Sequence, residues 1–359
     1  MTESTPHTAG PKGRFLQWFL GNRGAHWGTD PGEYTPALVE ETVSSIGRLF
    51  GPGCYFGLEI EGWENVPPAP AMLVSNHSGG TTIPDVWGLL IGWYRRFGAG
   101  RPCHPLAHEI ILATELTARF FSKRGVLKAN PRVAEAVLTR FKRDLLVMPG
   151  GDIDTWRPYS DRYKARFGGR RGYAKLALRT GVPVVPVANA GAHETLLVLT
   201  DGRKFAKAIG LPDVARAEIF PVHLSLPWGL GIGPLPHLPT PATLRYKIGK
   251  PVEVPKGAVP GEEPSDEHVA EYAERVEAAV QSLLDKLREE EEERLAATAG
   301  RAAAAPVITE RDLRQSLSRA TERLSTWGQM ASSIDLSQVA QAVEGLRTSL
   351  LEQLYPSMR

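Results

Sequence analysis

Cysteine is nearly missing from this sequence: Cys54 and Cys103 are the only two in 359 residues. That excludes a disulfide framework and fits a reducing compartment, so the expected location is the cytoplasm or the cytoplasmic face of a membrane. Long apolar runs are missing too. A spanning helix needs ~18 apolar residues, and the longest run, Val86 to Tyr94, has about half of that. The N-terminal stretch has no apolar run long enough for a signal-peptide core, so any membrane contact is expected to be peripheral. There is no Gly-x-Ser-x-Gly elbow, no Walker A loop and no internal repeat. These absences exclude an elbow-type serine hydrolase and a P-loop nucleotidase.

What is present is a 42% hydrophobic chain, enough to bury one large core and carry an extension. The expected division is an N-terminal segment (residues 1–54), a main domain (55–295) and an Ala-rich linker with a helical C-terminal extension (296–359). Phe15, Leu16, Trp18, Phe19 and Leu20, beside Lys12 and Arg14, form a short apolar cluster that suits either a membrane interface or a docked helix. The net charge of +2 conceals a segregation: residues 95–179 hold 19 Lys/Arg against 7 Asp/Glu. That basic block points to anionic ligands. Much of the compensating charge lies from Glu262 to Arg294, including the run Glu289 to Glu293, which is expected to form a solvated helix face.

Apolar or β-branched runs between turn residues predict strands at 54–63, 71–76, 145–148, 182–187 and 244–248. Helical spacing predicts a helix over 170–180 stopped by Gly181, and a long one from Ser265 to about Leu295. Two further amphipathic helices are expected over 310–330 and 336–354. Strands alternating with helices give an α/β class, a mixed and mostly parallel central sheet flanked by helices, with the α-helical extension behind it.

Two glycine-rich loops follow predicted strands, where ligands sit in α/β sheets. In SNHSGGTTIPDVWG (75–88), His77 lies in a loop whose glycines, Gly79 and Gly80, let backbone approach a ligand, and Pro84 opens a helix with Asp85 beside it. A histidine held by a carboxylate is a general-base arrangement, because the carboxylate fixes the tautomer and stabilises the imidazolium. The plain alternative is a loop histidine and a helix-capping aspartate. In VMPGGDIDTWRPY (147–159), Gly150 and Gly151 can converge N–H groups on an oxyanion or phosphate, with Asp154 and Arg157 close by. The alternative is an ordinary Gly-Gly turn. CHPLAHE (103–109) offers Cys103, His104, His108 and Glu109 as metal ligands. On a strand, though, His104 and His108 would lie ~13 Å apart, and no metal is expected.

Four blocks in order, SNHSGGTTIPD, RGVLKANP (124–131), MPGGDID (148–154) and RRGYAKLALRTGVPVVPVANAGAHE (170–194), resemble the lysophospholipid or glycerolipid acyltransferase superfamily. The group includes bacterial acylglycerol-phosphate acyltransferases and the diacylglycerol acyltransferase relatives with a PGG block. The resemblance runs from about Leu58 to Val254. Three features depart from the family pattern. Seven residues separate His77 from Asp85, a wider gap than usual. The second block lacks the arginine that holds an acceptor phosphate, for which Lys128 or Arg132 are substitutes. The third block has Gly151, Asp152, Ile153 and Asp154 where a Glu-Gly-Thr-Arg run is familiar, which is closer to the neutral-lipid branch.

The resemblance implies an O-acyltransferase of lipid metabolism and phospholipid biosynthesis, with no bound cofactor. Its donor would be acyl-CoA or acyl carrier protein, and its acceptor a glycerolipid or lysophospholipid at a membrane surface. His77 oriented by Asp85 would be the base. Asn76, Gly79, Gly80, Lys128, Gly150, Gly151, Asp154, Arg157, Arg170 and Arg171 would contact substrates, the arginines meeting phosphates. No nucleic-acid partner is expected, since no recognition motif accompanies the basic block. The C-terminal helices would serve an oligomer or another partner. The rival reading is a non-catalytic lipid-binding or tethering protein on the same fold.

Overall fold

The computed structural model describes residues 27–299, apart from 113, 209–217, 227–228 and 236. Ten strands are described: β1 Phe56–Glu61, β2 Met72–Ser75, β3 Cys103–Ala107, β4 Leu127–Lys128, β5 Asp144–Val147, β6 Val184–Ala190, β7 Leu197–Thr200, β8 Val222–Ser225, β9 Gly229–Ile232 and β10 Ala242–Ile248. The α-helices are α1 Pro36–Ser45, α2 Pro84–Phe97, α3 Glu115–Ser122, α4 Pro131–Thr139, α5 Gly151–Thr155, α6 Gly172–Thr180, α7 Arg203–Ala208 and α8 Asp266–Ala299.

Seven strands form the central sheet in the order β1-β10-β6-β2-β5-β3-β4. β6, β2, β5, β3 and β4 run parallel, while β10 pairs antiparallel with β6 and parallel with β1. This is the mixed, mostly parallel α/β sheet expected from the sequence. β2 lies at its centre, where the chain first leaves toward β3 and later returns on the other side as β6, so the carboxyl end of β2 is a topological switch point.

The two faces of the sheet follow the period-two alternation of its strands. Met72 and Val74 of β2 face one core with Leu145, Val184 and Ala188, covered by α4, α6 and α8. Leu73 faces the other with Leu146, Val185 and Val187, covered by α2 and α1. α8 covers its side with Val269, Tyr272, Ala273, Val276, Val280, Leu284 and Leu287, all buried at i, i+3 and i+4 spacing. Each of the valines and leucines contributes about 1.5–3 kcal/mol of burial. Tyr34, Val39 and Phe50 belong to the α2 core, so residues before the expected boundary at 54 pack with the main domain.

Two expectations meet a different structure or no description. The Glu289 to Glu293 run is not wholly solvated. β10 carries Arg245 and Lys247 toward α8, and Glu291, 15% exposed, pairs with Arg245 at 2.6 Å while Glu290 pairs with Lys247 at 2.7 Å. The N-terminal apolar cluster and the helices expected over 310–330 and 336–354 lie outside the described residues.

Candidate active site

His77 stands just past the carboxyl end of β2, its side chain 13% exposed. Its Nδ1 lies 2.6 Å from Asp85 Oδ2. The wide gap between the two residues is absorbed by a 3-10 turn at Gly80–Thr82. That turn needs its glycines. Gly79 (φ +95°) and Gly80 (φ +65°) hold left-handed backbone. A Cβ on Gly79 would come within 2.6 Å of the Pro84 ring, and one on Gly80 within 2.4 Å of Leu196. Ile83 then takes φ 44°, ψ 50°, a costly conformation for a β-branched residue, and hands the chain to Pro84 at the start of α2.

Asp85 is fully buried in the first turn of α2. Oδ2 also accepts the Ser78 N–H at 2.8 Å, Oδ1 accepts Val86 N–H at 2.9 Å, and the Tyr246 hydroxyl donates to its carbonyl at 2.7 Å. These bonds hold the Asp85 side chain and backbone in place, with the carboxylate aimed at His77. Burial pulls the His77 imidazolium pKa down, but the charge and hydrogen bond of Asp85, with Asp154 behind them, outweigh it and the net shift is upward. With Nδ1–H donated to Asp85, Nε2 is the nitrogen left for a substrate proton.

The second loop braces this one from below. Asp154, fully buried on α5, accepts the His77 backbone N–H at 2.6 Å through Oδ2, while Oδ1 accepts from Arg157 and from the Arg166 N–H at 3.2 Å. Burial pushes its carboxyl above the usual value, against the pull of Arg157 and the His77 N–H. Arg157 is 3% exposed and donates to the carbonyls of His77 (3.0 Å), Asp154 (3.3 Å) and Arg162 (3.1 Å). The phosphate contacts expected of Arg157 are therefore replaced by internal ones, because its guanidinium is spent inside the protein.

Gly151 also differs from expectation, since its N–H donates to Met148 O at 3.1 Å and is not aimed at an oxyanion. Gly150 packs too tightly for a side chain, a Cβ there meeting Arg166 O at 2.3 Å. Arg170 holds the Gly-Gly turn, donating to Pro149 O (3.1 Å) and Gly150 O (2.9 Å) and pairing with Asp152 at 3.1 Å. Arg171 is half exposed, 3.8 Å from Glu274.

Asn76 is buried, with both ends of its amide used. Nδ2 donates to Asn189 O at 2.9 Å, and Oδ1 accepts Asn189 N–H at 2.8 Å. It ties β2 to β6 and does not face a substrate. Asn189, which sequence reasoning missed, returns the contact through Nδ2 to Asn76 O at 2.6 Å and accepts from Ser78 Oγ at 3.1 Å. Lys128 lies on β4, three strands from β2 and so ~14 Å away across the sheet, which separates it from the dyad.

A separate antiparallel sheet, β7-β8-β9, stands over the His77 loop. The segment after β9 touches that loop directly: Thr81 Oγ1 donates to Leu235 O at 3.3 Å, and Thr82 Oγ1 lies 3.2 Å from His237 Nε2. His223 and His237 pack on Trp156 and are held neutral, burial pushing the His223 pKa down to about 4 and that of His237 down as well. On the other side of Asp85, an almost wholly apolar groove runs between α1, α2 and α3. It is lined by Val43, Ile83, Val86, Trp87, Phe121 and Val126 among others, and its empty volume is about 510 Å³ including the open mouth. Among the described residues no three His, Cys, Asp or Glu side chains converge as metal ligands would, and no helix is long and apolar enough to cross a membrane.

A family model described as Diacylglycerol acyltransferase matches residues 106–296, over half of the chain. An uncharacterized protein of Mycobacterium tuberculosis is 27% identical over 254 residues, covering 70% of this chain and 67% of that protein. A Gallus gallus protein described as "DGAT1/2-independent enzyme synthesizing storage lipids" is 28% identical over 172 residues, 47% of this chain and 50% of that protein. Among solved structures, the 1-acyl-sn-glycerophosphate acyltransferase PlsC from Thermotoga maritima superposes with a TM-score of 0.38 at 20% identity, covering 70% of this chain and 78% of that one. With more than half of its length matched by one family model, the chain belongs to the diacylglycerol acyltransferase family, and it is an O-acyltransferase of the glycerolipid acyltransferase superfamily.

Proposed function

We propose that this enzyme moves a fatty acyl group from a thioester carrier, acyl-CoA or acyl carrier protein, to a hydroxyl of a glycerolipid or lysophospholipid at a membrane surface. The observation that carries the reading is the 2.6 Å contact between His77 Nδ1 and buried Asp85, at the switch point of the sheet. Nε2 takes the hydroxyl proton while the oxygen attacks the thioester carbonyl. The tetrahedral intermediate collapses with cleavage of the C–S bond, and the imidazolium returns the proton to the departing thiolate. Asp85 stabilises the imidazolium in between. Gly150 is the backbone donor we assign to the oxyanion from the second loop.

The groove lined in part by Ile83 and Val86, which flank Asp85 in sequence, suits the alkyl chain of the donor, because its lining is mostly apolar. Arg171 and Lys164, both exposed, are among the cations of the basic block that we assign to donor or membrane phosphates. The protein would act as a peripheral enzyme on the cytoplasmic membrane face, with substrates and the bilayer as its partners and no cofactor. Incubation with radiolabelled acyl-CoA and a panel of monoacylglycerol, diacylglycerol, lysophosphatidate and lysophosphatidylcholine tests the reading. Label should enter at least one acceptor. Release of label only as free fatty acid would replace the transferase with a thioesterase.

A further inference from the structure

Between Ile219 and Leu244 the sequence holds no Asp, Glu, Lys or Arg, in a chain that is 23% charged. Such a stretch would be unremarkable inside a core, but this one emerges at the surface. Leu226 is 55% exposed, Leu235 37% and Leu238 61%, and Tyr55, whose hydroxyl donates to Pro239 O at 2.6 Å, is 43% exposed. These residues are physically connected. Leu226 bridges to Leu238, whose N–H donates to Leu226 O at 2.8 Å, and Leu235 is tied through its carbonyl to Thr81 of the His77 loop. The only titratable side chains of the stretch, His223 and His237, are buried and neutral.

We infer that this uncharged rim, Leu226, Leu235 and Leu238 with Tyr55, is the surface by which the protein docks on a lipid bilayer, setting the mouth of the His77 site against the membrane. The inference rests on the proposed lipid acceptor, since the uncharged stretch joins the His77 loop at Thr81 and Thr82. Two further observations favour a bilayer over a protein partner. The four residues expose on the order of 400 Å² together, about half of the ~800 Å² that each partner buries in a stable protein interface. The rim also lacks the charged residues that normally border such an interface, whereas insertion of a few leucines into the interfacial region requires that no charge be dragged with them. Lys204 and Lys207 are exposed on α7, which packs through Phe205 on Phe220 at the foot of the same sheet.

The test uses the full chain and vesicles of equal parts phosphatidylcholine and phosphatidylglycerol. Flotation is compared for wild type, the double variant Leu226→Asp with Leu238→Asp, Leu238→Trp, and Val259→Asp. Val259 is 54% exposed but lies near the turn before β6, at the end of the parallel strands away from His77. The double variant should bind vesicles roughly tenfold or more weakly, Leu238→Trp should bind more tightly, and Val259→Asp should match wild type. Acyl transfer to a vesicle-embedded acceptor should fall with binding in the double variant, while transfer to a short-chain acceptor below its micelle concentration stays within about twofold. If wild type binds and the double variant does not, yet neither transfers acyl groups to any acceptor, the surface stands and the proposed reaction falls. Unchanged flotation of the double variant, or a change in its oligomeric state with flotation intact, overturns the inference.

Discussion

Asp154→Ala should damage this protein twice over, and the size of the damage follows from what the carboxylate holds. Arg157 is 3% exposed, and Asp154 is the carboxylate paired with it. Removing one partner of a buried pair leaves an uncompensated charge, at a cost of about 3–5 kcal/mol. The amide donors of His77 and Arg166 lose their acceptor as well. For a chain of this size the melting midpoint should fall by on the order of 10 °C. Activity of the folded fraction should fall further than stability explains, because the His77 N–H loses its anchor and a shift of about 1 Å costs about 100-fold. Thermal melts followed by circular dichroism at neutral pH read the first effect, and turnover at a temperature where the variant is fully folded reads the second. Replacing Arg157 with Leu in an Asp154→Leu background should recover part of the melting loss, since an apolar pair leaves no buried charge. A single variant melting within a degree or two of wild type would refute the bracing role.

Asp85→Asn removes the main influence that raises the His77 pKa, so the acid limb of the activity profile should move to lower pH while the plateau drops by roughly 100-fold or more, read as kcat/KM against pH. A profile with an unmoved limb would show that another group titrates. Buried His104 and His223, both pulled to about 4 mainly by burial, bind protons more readily unfolded than folded. Their contribution is therefore full above 6.5 and lost as pH falls toward 4, about 2–3 kcal/mol each by pH 4.5. His77 has the opposite sign: its raised value stabilises the fold below 6.5, and that share is lost as pH rises through it. Urea midpoints at pH 7 and 4.5 should show the acid loss outweighing it. Arg170→Lys cannot span the carbonyls of Pro149 and Gly150 together and should lower turnover about tenfold with no added salt dependence. A salt-dependent loss would instead support a phosphate contact.

The parts of the fold legible in the sequence were those written in period and punctuation. Apolar runs ending in glycine loops located β2, β5 and β6, and the i, i+3, i+4 spacing of Val269 to Leu287 located α8. His77 and Asp85 were legible as residue types in a glycine loop. That they meet at 2.6 Å despite the wide gap required the left-handed backbone of Gly79, Gly80 and Ile83, which no spacing rule supplies. The roles of Asn76, Arg157 and Asp154 were misplaced because sequence shows a polar residue near a loop but not whether it points inward. Asn189 carries no motif, since its partners come from β2, 113 residues away for Asn76. The strands of the small sheet are only four residues each, at the lower limit at which alternation can be recognised, and Gly229 and Gly231 interrupt the apolar pattern of β9.

The most direct test of the account is the initial rate of acyl transfer from radiolabelled acyl-CoA to the accepted glycerolipid, measured for wild type and for His77→Ala with matched melting curves. The account predicts that the variant retains its fold and loses roughly 100-fold or more of the rate, with label reaching the lipid only in the wild-type reaction. Comparable transfer by the two proteins would contradict it and remove His77 from the chemistry.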